Sequence, residues 1–278
     1  TRALRNDAEL LMRVDHRERR HARVEELPLA HAAGYIAWVR ARAEGGGGRF
    51  DADTVVSQGS WDAALAGAGC VLEGIDLAVA EGRRSYCAVR PPGHHALRAQ
   101  AMGFCFFGNV AVGAHSARAR HGLGKVLIVD WDVHHGNGTQ ALVQESDDIH
   151  FVSMHQWPWY PGTGPADDRG PRASVWNVPM AAGLPAARYV DALLGAVDAA
   201  TARWTPELVL ISAGFDSLNG DPLGGFTLET ADVTTLTQEM VTRAKGWCRG
   251  RVVSVLEGGY VPDRVGEASV AHLRALED

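Results

Sequence analysis

The most informative stretch of the chain is Val126-Leu-Ile-Val-Asp130-Trp-Asp132-Val-His134-His135-Gly-Asn137-Gly138. Residues 126–129 are apolar without a break, and carboxylates and imidazoles follow at once. Such a run reads as a buried strand whose end opens on a polar site. Strand side chains alternate between faces, so Asp130, Asp132 and His134 share one face if extension persists to His134. Two carboxylates and an imidazole at a buried strand end are costly to keep without a cation. A purely hydrogen-bonded structural cluster is the weaker alternative.

The pattern on either side alternates in the same way. Residues 86–89, 149–154, 208–212 and 252–256 read as further strands. Residues 58–79, 109–120, 187–203, 227–248 and 269–276 have the three-to-four spacing or composition of helices. Residues 1–23 read as a surface helix and 31–39 as the start of another, with glycines 45–48 as a flexible loop and the best linker candidate. Apolar strands alternating with helices predict a three-layer α/β/α fold with a mainly parallel central sheet. In such sheets a ligand lies beyond the carboxyl ends of the strands. Here those ends are 90–96, 130–139, 155–164, 213–225 and 257–260, which hold most of the glycine and histidine clusters.

Composition sets outer limits. The chain has 278 residues, 46% of them hydrophobic and 22% charged, which suits one large globular domain. Lys plus Arg number 27 against 33 Asp plus Glu, a net charge of −6 that argues against direct nucleic-acid binding. No apolar run approaches the roughly 20 residues of a membrane span, and no secretory signal pattern opens the chain. The four cysteines form no C-x-x-C pair and are expected to be reduced, buried thiols. A cytoplasmic protein is therefore expected. Because residue 1 is Thr, the chain is also expected to be a fragment or a processed form.

A second strand end, Ile211-Ser-Ala-Gly-Phe-Asp216, supplies one more carboxylate. With Asp132 and His134 it makes a three-ligand set, which leaves a coordination position open for water, as in catalytic zinc sites. Mixed oxygen and nitrogen ligands suit Zn²⁺ and also admit Fe²⁺. His94 and His95 follow a rigid Pro-Pro turn and are either further ligands or acid/base groups. Asp130 can orient one imidazole and Asn137 the other; a neutral partner leaves its histidine more readily unprotonated. Gly258 and Gly259 allow close backbone approach, and Tyr260 beside them can present its hydroxyl to a ligand. Phe104 and Tyr160, each in a glycine-bounded loop, can wall a narrow apolar channel.

Together these segments resemble the zinc-dependent histone deacetylase family, in its class II-like bacterial branch. The matching motifs are RPPGHHA at 90–96, GFCFFGNVA at 103–111, VDWDVHHGNGTQ at 129–140, WYPGTG at 159–164, NVP at 177–179, SAGFDSLNGDPLGG at 212–225 and LEGGY at 256–260. The resemblance implies a single arginase-like deacetylase domain over residues 1–278 and metal-dependent hydrolysis of acylated lysine or a small acylated amine. It implies Asp132, His134 and Asp216 as metal ligands, and His94 and His95 as tandem acid/base histidines backed by Asp130 and Asn137. It also implies Tyr260 as the oxyanion hydroxyl, and Gly103, Phe104, Tyr160, Leu223, Gly258 and Gly259 around the substrate. Family members bind a structural potassium ion as well, and the matching positions are Asp130, Asp132, His134, Ser153 and Met154. The family's opening strand and its His-Pro-Glu-Arg-Pro-like loop have no counterpart here, so the domain reads as truncated at its N-terminus. A homo-oligomer is left open. Three other functions compete: an acetylpolyamine amidohydrolase, a weak or inactive acyl-lysine-binding fragment, and an arginase-like binuclear hydrolase. Leu223 stands where polyamine-specific relatives carry a Glu, which favours acyl-lysine.

Overall fold

The computed structural model describes residues 2–277. Two short helices open it, α1 (Arg2–Asn6) and α2 (Ala8–Arg13), followed by a 3-10 turn at Val24–Leu29 and helix α3 (Ala33–Glu44). A small hairpin, β1 (Gly48–Arg49) and β2 (Val55–Val56), precedes the long helix α4 (Ser60–Ala80). The main alternation then runs β3 (Ser85–Cys87), α5 (Asn109–His121), β4 (Val126–Asp130), α6 (Asn137–Val143), β5 (Ile149–Gln156), β6 (Val175–Met180), α7 (Ala186–Thr201), β7 (Leu208–Ala213), α8 (Thr230–Cys248), β8 (Val252–Leu256) and α9 (Pro262–Glu277).

Six of these strands form one sheet in the order β3-β8-β7-β4-β5-β6, and every neighbouring pair is parallel. The unbroken apolar strands follow from this arrangement, because both faces are covered. Val126 and Ile128 of β4 join a core with α3, α4 and α5, while Leu127 and Val129 join another with α7, α8 and α9. The chain leaves β4 outward through β5 and β6, then returns to lay β7 and β8 on the other side. The strand order therefore reverses between β4 and β7, the position where a crevice opens at the carboxyl ends. Asp130 of β4 pairs in register with Ser212 of β7 at that switch point.

Several expectations need correction. Strand β4 ends at Asp130, so the alternation does not carry to His134. Residues 2–23 form no single helix: α1 and α2 are separated at Asp7, whose side chain caps α2 by accepting from Leu10 N at 3.0 Å. Glycines 45–48 are no linker, since Gly48 pairs with Val56 in the hairpin. Strand β6 was not foreseen; it contains Pro179, which a strand tolerates at a sheet edge, where β6 lies. Helix α4 is 21 residues long and apolar enough to cross a membrane by length and composition, contrary to expectation. Ten of its residues are buried in the protein, and it packs against α5, β3 and β8. All four cysteines are free.

Candidate active site

Asp132 and His134 lie just beyond β4, and Asp216 just beyond β7. All three are buried, and one ligand atom from each lies within 4.8 Å of the others. The surrounding backbone ties the carboxylates down. Asp132 Oδ1 accepts from His134 N at 2.9 Å and its Oδ2 from Gly258 N at 2.8 Å, while Asp216 Oδ1 accepts from Val133 N at 2.9 Å. Asp216 Oδ2 is buried and has no hydrogen-bond partner. His134 Nδ1 stands 3.0 Å from Asp132 Oδ1 and 3.2 Å from Asp216 Oδ2. That nitrogen carries at most one proton, so it cannot satisfy both oxygens. A divalent cation among the three resolves the conflict, and the donor set fits one.

The charge state of the metal-free group follows from the same crowding. Burial opposes a charge on His134, but Asp132 and Asp216 outweigh it and raise its pKa to about 10. Burial, and then the Asp132 charge, push Asp216 up to about 7. A metal must displace these protons. Metal affinity is therefore expected to rise with pH, by about tenfold per unit between pH 7 and 10 where only His134 loses a proton. Below pH 7, Asp216 also holds a proton, and the dependence steepens towards about a hundredfold per unit. Chelator competition across this range measures the slope; a flat profile would mean that these groups are not the ligands.

The tandem histidines sit beside this group with contrasting partners. His94 Nδ1 is 3.1 Å from Asp130 Oδ2, and His95 Nδ1 is 2.7 Å from Asn137 Oδ1. Asp130 thus stands behind His94, outside the group formed by Asp132, His134 and Asp216. Burial opposes charging of His94, yet Asp132 and Asp130 hold its pKa well above the ordinary imidazole value. Burial, and then the neighbouring His94, push His95 well below it.

A cleft of about 380 Å³ opens over these groups. His94, His95, Gly103, Phe104, His134, Tyr160, Leu223, Gly258 and Tyr260 line it, as do three residues not singled out from the sequence, Asp53, Pro92 and Trp159. Tyr160 packs edge-on to His95, with ring centroids 5.1 Å apart, and Phe104 lies 6.0 Å from Tyr260. Phe104 takes the left-handed conformation (φ 67°), strained for so bulky a residue. The Thr54 hydroxyl holds it there by accepting from Phe104 N at 3.1 Å. Gly103 must lack a side chain, because a Cβ would stand 2.3 Å from the His95 ring. At Gly258 a Cβ would stand 2.1 Å from Asp216 Oδ2. Gly259 is not on the cleft wall, and a Cβ there would meet Val265 and Phe215 instead. Ser153 pairs in register with Asp130, its hydroxyl is 3.1 Å from His155 Nδ1, and Met154 is buried beside it.

Glu257 was quoted in a motif without a role, and the fold gives it one. Its Oε2 accepts from Gly93 N and His94 N at 2.6 and 3.2 Å, and its Oε1 from Ser212 Oγ at 3.0 Å. The carboxylate thus locks the turn that carries both histidines onto the ends of β7 and β8.

The sequence profile of the histone deacetylase domain matches residues 1–276. The chain belongs to the histone deacetylase family. It is 38% identical over 256 residues to a histone deacetylase-like amidohydrolase of Pseudomonas aeruginosa, covering 90% of this chain and 67% of that one. It is 36% identical over 261 residues to histone deacetylase 15 of Arabidopsis thaliana, covering 91% of this chain and 46% of the relative. The crystal structure of the HDA15 HD domain superposes with a TM-score of 0.93 at 33% identity, over 99% of this chain and 78% of that one. The expected family and the expected parallel-sheet architecture are both borne out. Membership of this family supports a hydrolase of the deacetylase type.

Proposed function

We propose that this histone deacetylase family member is a zinc-dependent amidohydrolase that removes acetyl or related acyl groups from lysine side chains. One observation carries the reading: two histidines with opposite partners, Asp130 and Asn137, stand between a buried Asp-His-Asp group and a cleft lined by Tyr260. When bound at Asp132, His134 and Asp216, zinc polarises the amide carbonyl and brings the pKa of a bound water towards ~7. Fe²⁺ remains chemically compatible with the same donors.

His95 is the general base. Asn137 Oδ1 accepts from its Nδ1–H, which leaves Nε2 as the acceptor for the proton of the attacking water. His94, kept protonated by Asp130 and Asp132, supports the charge and supplies a proton to the departing amine. The Tyr260 hydroxyl donates to the oxyanion that forms at the carbonyl carbon, with burial and the nearby Asp132 holding its pKa well above the ordinary phenol value. Phe104 and Tyr160 flank the aliphatic stem of the substrate. The family's structural potassium is assigned to the Asp130, Asp132 and His134 segment with Ser153 and Met154.

The second reading, an acylpolyamine substrate, draws on Asp53, a carboxylate on the cleft wall. That group can meet a distal ammonium or accept from peptide N–H groups. Leu223 adds no charge opposite it, and Trp159 and Tyr160 make the rim apolar. Acetyl-lysine peptides are therefore expected to be cleaved at least as well as N8-acetylspermidine by metal-replete protein. Measured kcat/KM values decide it: a clear preference for acetylspermidine promotes the polyamine reading, and no acetate released from either overturns the proposed activity.

A further inference from the structure

The loop after β7 holds a buried carboxylate that the proposed chemistry leaves without a task. Asp221 is 7% exposed, and among the described residues no cation lies within ion-pair distance of it. A carboxylate buried without a cation is costly, and this one is compensated by two backbone amides. Its Oδ2 accepts from Tyr260 N at 2.7 Å and its Oδ1 from Leu223 N at 2.9 Å. Those amides belong to different loops, one on the metal side of the cleft and one at its mouth.

The connection continues outward. Leu223 O accepts from the indole Nε1–H of Trp159 at 2.8 Å, and Trp159 is 44% exposed on the cleft rim. Trp159, Leu223, Asp221 and Tyr260 are thus linked in series by hydrogen bonds that run from the cleft rim to the backbone amide of Tyr260. On the other side, Tyr260 follows Gly259, whose φ of 137° is a conformation L side chains rarely adopt. A loop entered through such a glycine needs an external anchor to fix the direction of its next side chain.

We infer that Asp221 is a positioning residue that sets the Tyr260 hydroxyl and ties its placement to the mouth loop at Leu223. The inference rests on the deacylase reading for its kinetic consequence, while its geometric content stands apart from activity. Asp221 touches no reacting atom; it acts through the Tyr260 backbone. Losing it frees the tyrosine loop at one end and Leu223 at the other, while Asp132 and Asp216 keep the His134 and Val133 amides, which lie outside both loops.

The test uses the full chain, metal-replete, with Asp221→Ala, Asp221→Asn, Tyr260→Phe and the Asp221→Ala/Tyr260→Phe double variant. With an acetyl-lysine peptide, Asp221→Ala is expected to lower kcat by about tenfold or more while KM changes by less than about threefold. In the Tyr260→Phe background the same substitution is expected to cost less than about twofold, because the hydroxyl it positions is gone. Asp221→Asn keeps one carbonyl oxygen and is expected to fall between parent and Ala. Full, multiplicative losses in the double variant would overturn the inference. A readout independent of turnover is ¹⁹F NMR of protein labelled with 3-fluorotyrosine at its five tyrosines. The Tyr260 signal, assigned by its loss in Tyr260→Phe, is expected to shift or broaden in Asp221→Ala while the signals of buried Tyr35 and Tyr189 stay in place. An unmoved Tyr260 signal in both Asp221 variants would sink the inference. If the parent releases no acyl group from any substrate, the activity reading fails and the NMR result still decides the role of Asp221. If Asp221→Ala does not fold, Asp221→Asn carries both measurements.

Discussion

His134→Ala and Asp216→Ala are each expected to abolish metal binding together with turnover. Each removes one of the three proposed ligands, so the loss is expected to exceed the roughly 10–100-fold that follows from deleting a hydrogen-bond partner behind a ligand. The two substitutions differ in what they leave behind. Without His134, Asp132 and Asp216 face each other fully buried, with the nearest positive charge removed. Breaking a buried pair on one side costs about 3–5 kcal/mol of stability. The pair takes up a proton to relieve the repulsion, so the His134→Ala thermal midpoint is expected to recover partly as pH falls. Asp216→Ala leaves Asp132 with His134, a self-compensating pair, and its loss of stability is expected to be smaller. Metal analysis of the purified variants beside their melting curves checks both statements. Near-stoichiometric zinc in either variant would show that the ligand set is wrong.

Tyr260→Phe is expected to leave the metal in place and lower kcat by about 10²–10³, the usual loss for one oxyanion donor. Only the hydroxyl is deleted; the ring that packs 6.0 Å from Phe104 is retained, so KM is expected to change little. An unchanged kcat would assign Tyr260 to packing of the channel wall. His95→Ala provides the contrast, with a large fall in kcat at undiminished zinc content. Loss of zinc from that variant would make His95 a ligand instead of the base.

Much of this site is legible in the primary structure because its residues come in tight local groups. Asp130, Asp132 and His134 sit within one strand end, and His94 and His95 are adjacent. The end of β4 was legible to within one residue, because the apolar run stops at Val129. Which strands flank it was not, since β5 and β7 pair with it from elsewhere in the chain. Strand β6 was hidden for a related reason, since Pro179 argues against a strand unless the segment is known to lie at an edge.

Residues 126–138 and their companion segments determined by themselves the parallel architecture and the candidate side chains, because hydrophobic periodicity and residue type are local properties. The family was legible through the resemblance of the motifs, taken together and in order. Only the tertiary structure decided how the parts face one another. Val133 N meets Asp216 across 83 residues, Gly258 N meets Asp132 across 126, and Glu257 meets Gly93 across 164. Asp53, Asp221 and Glu257 had no role assigned from the sequence. Asp53 is exposed and reaches the cleft only through the fold, whereas Asp221 and Glu257 are buried and accept from the amides of Tyr260, Gly93 and His94, partners supplied by strands and loops that meet only when the sheet is assembled.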